Sequence, residues 1–338
     1  MKLSIRRALG AMTLSALGLL GGCGTHVLGS ASQGTDILVQ VQDAPSTTKH
    51  QGVRRVESFY NLSGKSDAVS FREQITTDGK GNFSTRPLEV ISGATVPDDE
   101  FLYLQKAREG FNWRYRDFLV RDLASFLENY KLQSWGKSVA VAGRTCIELD
   151  IARKDASSRW EVAMDVETGL VLSYKEYDRN EHLYSSMVYE SVDFAPDVSG
   201  VTFHQLGNNE LSLAGALDPT ALLGFAPLTP KLLPNSGFHF LAAYRIQDQD
   251  GKVWAKLEYT DGVQTVLFLD SGFDPKKTSQ AAAGTSPSSQ SGAIPERLQM
   301  FRVGPVTVLQ GQVLGHGIIA VGKVPQLDLQ ILVESALH

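Results

Sequence analysis

A chain of 338 residues, 42% hydrophobic and 20% charged, has ample material for a packed core in two domains or one large one. Its 37 acidic residues outnumber its 32 basic ones. That balance argues against a general nucleic-acid or anionic-lipid binder, whose affinity comes from a basic surface, and leaves only local basic patches.

Lys2, Arg6 and Arg7 precede an apolar run from Ala8 to Leu20, and Leu20-Gly21-Gly22-Cys23 closes it. A charged start, a short apolar core and small residues at a cut are the layout of an export signal over residues 1–22, and the core is too short to span a bilayer. The leucine three places before the cysteine marks Cys23 as a lipid-attachment site; the alternative is an ordinary secretory signal in which Cys23 is incidental. This pattern resembles the bacterial lipoprotein signal, whose acyl chains, at about 0.8 kcal/mol per buried methylene, anchor a protein firmly. The residue after the cysteine is Gly24, not aspartate, which in such lipoproteins implies sorting to the outer membrane. Removing Lys2, Arg6 and Arg7 takes the 32 basic residues to 29 against 37 acidic ones, a net charge of about −8. With Cys23 acylated, Cys146 stands alone, so no intramolecular disulfide forms. Cys146 reads as a thiol shielded in a sheet, not as a nucleophile. Residues 23–34, small and polar, read as a flexible tether. No later run of 18 apolar residues follows.

Residues 35–206 read as one domain. After a short helix over Thr35 to Asp43, the period from Gly52 to Phe194 is mostly two. Trp160, Val162, Met164 and Val166 alternate with Glu161, Ala163 and Asp165, and Thr168-Gly169 turns the chain before Leu170, Leu172 and Tyr174. Asp78 to Gly81, Ala142-Gly143 and Asp178 to Glu181 supply further turns. Sequential hairpins with one apolar face predict a curved antiparallel sheet. Two helices interrupt it: Asp98 to Arg108, opened by acids, and a four-turn helix from Tyr115 to Tyr130 with Phe118, Leu119, Leu123, Phe126 and Leu127 in its stripe. The stripe needs an apolar surface, and the concave side of the sheet is the candidate. It covers either a plain core or an apolar ligand cavity.

Residues 207–237, with Pro219, Pro227, Pro230 and Pro234 among leucines, read as a connection lying on the protein surface. The second domain, 238–338, begins with strands Phe240 to Ile246, Val253 to Tyr259 and Val263 to Leu269. Asp248-Gln249-Asp250-Gly251 and Asp261-Gly262 separate them as hairpin turns. Thr278 to Gly292 reads as a loop insertion. Leu298 to Val303, Val306 to Val313 and Ile318 to Val321 return to strand character, and Pro325 opens a last helix with Leu327, Ile331 and Leu332 in its stripe.

Glu128 to Phe194 resembles the periplasmic sigma-E regulators RseB and MucB. The carrying residues are the run Val139 to Leu149, Val-Ala-Val-Ala-Gly-Arg-Thr-Cys-Ile-Glu-Leu, and Trp160 to Leu172 with Met164-Asp165-Val166-Glu167-Thr168-Gly169-Leu170. In the second domain, Leu232-Leu233-Pro234-Asn235-Ser236-Gly237-Phe238 is similar to that family's Leu-Pro-x-Gly-Phe entry. Tyr259-Thr260-Asp261-Gly262 is similar to its Tyr-x-Asp-Gly hairpin. The resemblance implies a mainly β, α+β fold: a half-barrel sheet covered by helices, as in the lipoprotein carriers LolA and LolB, plus a smaller β-rich domain ending in a helix. The chain departs from the family in its lipidation signal, which LolB shares, and in the Ser-rich insertion.

No site for chemistry stands out. Gly79-x-Gly81 lacks the third glycine of a dinucleotide loop, Gly64-Lys65-Ser66 lacks the glycine five places earlier, and the twelfth position of the Asp248-x-Asp250 segment, counted from Ile246, is Leu257. The histidines never fall at metal-ligand spacing. No cofactor or metal is implied, and a hydrolase would need a site assembled from distant residues. The expectation is a non-enzymatic periplasmic sensor, held on the membrane by its lipid anchor, binding an anti-sigma factor's periplasmic domain or an acylated lipid or lipoprotein. A LolB-like carrier or insertase is the alternative. The lining candidates are Phe118, Leu119, Leu123 and Phe126 with Trp160 and Met164.

Overall fold

The computed structural model describes residues 31–62, 65–94, 96–107, 112–203, 210–214, 218–231, 237–248, 250–273, 298–303, 306–324 and 326–336. The signal residues 1–22, Cys23, the tether up to residue 30, Pro325 and the insertion at 278–292 lie outside the described residues.

The chain is mostly β, in two antiparallel sheets. The first has eight strands: β1 (Lys49–Leu62), β2 (Lys65–Asp78), β3 (Phe83–Ser92), β4 (Tyr130–Val141), β5 (Arg144–Arg153), β6 (Ser158–Asp165), β7 (Val171–Asp178) and β8 (Leu183–Asp193). Their order is β3-β2-β1-β8-β7-β6-β5-β4, so two meanders are joined by the β1–β8 pair and the sheet stays open. Residues directly opposite share a face. The pairs Arg54↔Glu73, Arg54↔Tyr189, Tyr174↔Met187, Val162↔Tyr174, Leu149↔Val162 and Trp160↔Glu176 therefore trace one continuous inner face. Register shifts at Val53/Arg54 and Ala163/Met164 add the bulges by which such a sheet bends.

Among the described residues, three α-helices lie with this sheet: α1 (Ala31–Thr47), α2 (Asp98–Ala107) and α3 (Leu123–Asn129). Helix α1 begins inside the stretch read as tether and runs past Asp43. Its stripe of Leu38, Val41 and Ala44 is fully buried in the first core, and that burial extends the helix beyond its short sequence signal. The predicted four-turn helix over Tyr115 to Tyr130 is not formed. In its place stand one wide turn (Asn112–Arg116), a segment 117–122 without regular structure and α3. Two features break it. Arg116 and Asp117 are held in a buried ionic ring. Asp122 is extended (φ −143°, ψ 112°) and caps α3, accepting from the Ser125 N–H at 2.8 Å. Phe118 and Val120, two apart, then bury by strand logic where helical spacing had also fitted.

The second sheet contains β9 (Glu210–Ser212), β10 (His239–Gln247), β11 (Val253–Thr260), β12 (Thr265–Phe273), β13 (Gln299–Val303), β14 (Val306–Val313) and β15 (His316–Gly322), ordered β13-β14-β15-β12-β11-β10-β9. Strand β9 and helix α4 (Pro219–Leu223) come from the stretch read as a connection; Leu213 and Leu223 pack on Ala255. Asp218 caps α4 and Gly224 ends it at φ 80°. The final helix α5 (Gln326–Ser335) lays Leu329, Leu332 and Val333 over Phe268, Leu309, Ile318 and Ala320.

His50, at 0% exposure, fixes the start of β1. Its Nδ1 lies 3.1 Å from the Thr48 carbonyl and its Nε2 2.9 Å from the Tyr189 hydroxyl, an arrangement that suits a neutral ring. Burial, with Arg54 adding to it against the Thr48 hydrogen bond, pushes the imidazole down to about 4. The unfolded chain takes up this proton near pH 6.5 while the folded one does not, so stability falls as pH drops from 6.5 to 4, by about 3 kcal/mol in all. Urea titrations from pH 7 to 4 should show this slope in the native protein and a flatter one in His50→Gln; equal slopes would remove His50 from the account.

Candidate functional site: the seam between the two sheets

The β11–β12 hairpin carries the Tyr259-Thr260-Asp261-Gly262 motif, and its tip enters the first body. Val263, at 4% exposure, belongs to the first core rather than the second. The Arg121 N–H donates to the Gly262 carbonyl at 2.8 Å, and Arg121 Nε to the Val263 carbonyl at 3.0 Å. Gly262 has φ +105°, and a Cβ there would stand 2.3 Å from the Phe126 nitrogen, so only glycine admits this approach. Asp261, fully buried, turns the hairpin by accepting from the Val263 and Gln264 N–H groups at 3.1 and 2.8 Å. Its other oxygen accepts from the Tyr130 hydroxyl at 2.8 Å and faces Arg153 Nε at 3.5 Å. Burial pushes the Asp261 carboxyl above its ordinary range, against the pull of Arg153 and Tyr130. Asn129 completes the lock, donating to the Gly237 carbonyl at 2.9 Å and the Asp261 carbonyl at 3.1 Å. Arg153 also lies 5.6 Å from the centre of the Phe238 ring.

Two charged groups extend the seam. Arg114 reaches Glu210 at 2.8 Å and Glu258 at 3.4 Å, Lys256 pairs with Glu258 at 2.8 Å and also with Glu210, and the Tyr115 hydroxyl donates to Glu258. On the other side Lys323, which follows β15, donates to Glu176 Oε2 and to the Arg116 carbonyl, both at 2.9 Å.

Arg116 is also one member of a closed ring of four buried charges. Arg54 reaches Glu73 at 2.7 Å and Asp117 at 2.8 Å; Arg116 reaches Asp117 at 3.0 Å and Glu73 through both terminal nitrogens. Each cation touches each anion, and two of each leave the ring without net charge. Burial works to raise the Asp117 carboxyl, and the Arg116 and Arg54 guanidiniums outweigh it, holding the group below the usual carboxylate range.

The sequence-predicted lining residues fall as follows. Phe118, Phe126, Trp160 and Met164 are buried, at 1–3% exposure, in one cluster. Phe118 and Trp160 rings are 5.1 Å apart, Trp160 and Tyr174 rings 5.9 Å, and Phe126 stacks on Tyr130 at 5.3 Å. Leu123 is partly buried against the cluster and Leu119 is half-buried. Val263 from the hairpin tip belongs to the same core. Cys146 is fully buried in β5, and burial, with Asp165 nearby, pushes its thiol up. Cys23 lies outside the described residues.

Sequence reasoning missed the ring, the Lys323 contact and the Arg114–Glu258 group. Their signal was present as charges at inward parity: Arg54 between Gly52 and Val56, and Glu73 between Phe71 and Ile75. One grouping imitates catalytic machinery. Ser125 Oγ lies 2.8 Å from His239 Nε2 and also bonds Asp122. The order is carboxylate, serine, imidazole, whereas a nucleophilic relay needs the imidazole between the other two; this serine is engaged in capping α3. No group of three or more metal-ligating side chains occurs among the described residues. Nor is any described helix long and apolar enough to cross a membrane.

No protein-family model matches the chain, and no curated protein matches it significantly. Among solved structures, the chain is similar to the Pseudomonas aeruginosa MucA/MucB complex, with 16% identity over 90% of this chain and 97% of that one and a TM-score of 0.47. It is similar to a crystal structure of MucB with 17% identity over 90% and 98% of the two chains and a TM-score of 0.48.

Proposed function

We propose that this chain is a lipid-anchored periplasmic regulatory protein of the sigma-E envelope-stress type, which holds the periplasmic domain of an anti-sigma factor and responds to an acylated ligand. The observation that carries this reading is a coincidence of motif and seam. Of the residues through which the second half resembles RseB and MucB, Gly237, Phe238, Asp261 and Gly262 take part in the contacts that join the two bodies. A carrier has no need of a second body keyed into its first; a regulator can use one to hold a partner.

The mechanism is coupled binding. Phe118, Phe126, Trp160 and Met164 lie buried in one core, so an acyl chain reaching them has to displace segment 117–122, α3 or the hairpin tip. Each of these is a seam element. Ligand binding and seam opening are then linked, and a partner that prefers the closed arrangement is released to the extent that the two affinities differ. Cys23 is the anchoring residue, and the outer membrane is the proposed site.

Two measurements test the reading. Mass spectrometry of the protein purified from its native envelope should find an anti-sigma periplasmic segment with it; bound lipid without any such segment would favour the LolB-like carrier. Cys23→Ala should move the protein from the membrane to the soluble periplasmic fraction. Unchanged fractionation would end the anchor.

A further inference from the structure

Lys323 crosses the seam to a prepared cradle. Its ammonium donates to Glu176 Oε2 and the Arg116 carbonyl at 2.9 Å each and lies 5.6 Å from the centre of the Trp160 ring. The lysine side chain is 7% exposed and the glutamate 1%. Ser185 Oγ donates to the same Oε2 at 2.7 Å, while Glu176 Oε1 is buried with no hydrogen-bond partner among the described residues. Carboxylate, carbonyl and aromatic face offer three attractive directions to a group with three N–H donors. A planar guanidinium does not match that arrangement.

We propose that Glu176, the Arg116 carbonyl and the face of Trp160 form a primary-ammonium site of the first body, filled here by Lys323 and filled, when the seam opens, by the ammonium head of an amphiphile. This rests on the seam opening put forward above and names the head-group chemistry of the acylated ligand. Withdrawing Lys323 strands a carboxylate whose second oxygen already has no hydrogen-bond partner among the described residues, so the site retains its demand for a cation. An amphiphile is favoured over a peptide lysine by the surroundings. Trp160 is flanked by Phe118 and Tyr174, with Ile151 opposite it on β5, so the chain behind the ammonium meets apolar wall. Lys323 itself approaches with its methylene stem in the same way.

The test uses the full mature chain with Lys323→Ala, which vacates the cradle, and a series of n-alkylammonium chlorides read by thermal unfolding. Tetramethylammonium chloride at equal ionic strength is the control, because it has the charge without the donors. Butylammonium should raise the Tm of Lys323→Ala by about 2–3 °C at tenfold its dissociation constant. Affinity should then rise by up to about fourfold per added methylene towards octylammonium. Glu176→Gln in the same background should abolish the response. No shift, or the same shift with tetramethylammonium, overturns the site. A flat response to chain length, or Nα-acetyl-lysine amide binding as tightly as octylammonium, overturns the amphiphile. Should Lys323→Ala fail to fold, Lys323→Met keeps the stem and is tested with methylammonium against the same control: a shift absent with tetramethylammonium supports the site, and no shift or an equal one overturns it. No partner protein enters these measurements, so their failure leaves the anti-sigma reading standing, and a failed co-purification leaves the ammonium site standing.

Discussion

Gly262→Ala should separate the two bodies while leaving each sheet folded. The added methyl meets the Phe126 nitrogen at 2.3 Å and its Cα at 2.6 Å, both backbone atoms of α3 that cannot rotate away, and φ +105° is itself foreign to alanine. The backbone strain alone is worth about 1–3 kcal/mol, and the clash adds to it. The only relief is withdrawal of the hairpin or displacement of α3. Either breaks the Arg121–Gly262 hydrogen bond and returns Val263 to water, losing about 2 kcal/mol of burial. Amide hydrogen exchange should therefore show the Arg121 N–H losing protection while amides of β5, β6 and β7 keep theirs. Gly251→Ala is the internal control. Gly251 has a similar left-handed φ of +79° in the neighbouring hairpin, but the nearest atom to its added Cβ is a side-chain nitrogen at 3.5 Å. It should cost the strain and no more. Equal effects of the two substitutions would show that Gly262 matters only as a turn residue, and the keyed seam would fall.

The sheets were legible because their signals are local. Asp78 to Gly81, Ala142-Gly143, Thr168-Gly169, Asp178 to Glu181, Asp248 to Gly251 and Asp261-Gly262 each announce a hairpin, and each joins consecutive antiparallel strands. What failed was the helix over Tyr115 to Tyr130. Its apolar spacing is real, yet 118 and 120 satisfy a two-residue period equally well. The deciding contacts lie far along the chain: Arg116 to Glu73, Asp117 to Arg54, Arg121 to Val263. Local periodicity carries no information about partners 40 to 140 residues away, so tertiary pairing overrode it.

The site divides in the same way. The burial of Phe118, Phe126, Trp160 and Met164 is legible, since amphipathic patterning records which side faces inward. Patterning does not record what covers that side. The cover here is a hairpin tip and a lysine from the other sheet, and Asp261-Gly262 reads from sequence only as a turn. Charges at inward strand positions would have been the better guide. A buried Arg54 or Glu73 is costly unless paired, so each implies a partner before any partner is known.

That cost sets the second large effect. Glu73→Ala leaves Arg54 and Arg116, 2% and 9% exposed, with Asp117 as the one carboxylate of the ring. Removing one member of a buried ionic group typically costs about 3–5 kcal/mol, because the surviving charge stays buried without compensation. Arg54→Met should cost a similar amount for the opposite charge. The double variant leaves a neutral Arg116–Asp117 pair and should recover much of the loss, giving a coupling of about 2 kcal/mol or more in a double-mutant cycle. Simple additivity would mean that the ring acts as separate contacts. Acid supplies an independent reading. Asp117 is held below its unfolded value, so its contribution is complete above about pH 4 and disappears as pH falls through the folded value. This limb lies below the His50 limb, which spans pH 6.5 to 4. Asp117→Asn, measured relative to its own stability at pH 7, should weaken the lower limb, which Asp165 and Glu210 also feed, and retain the upper one. A variant that lost both would tie His50 to the ring through Arg54, the nearest charge they share.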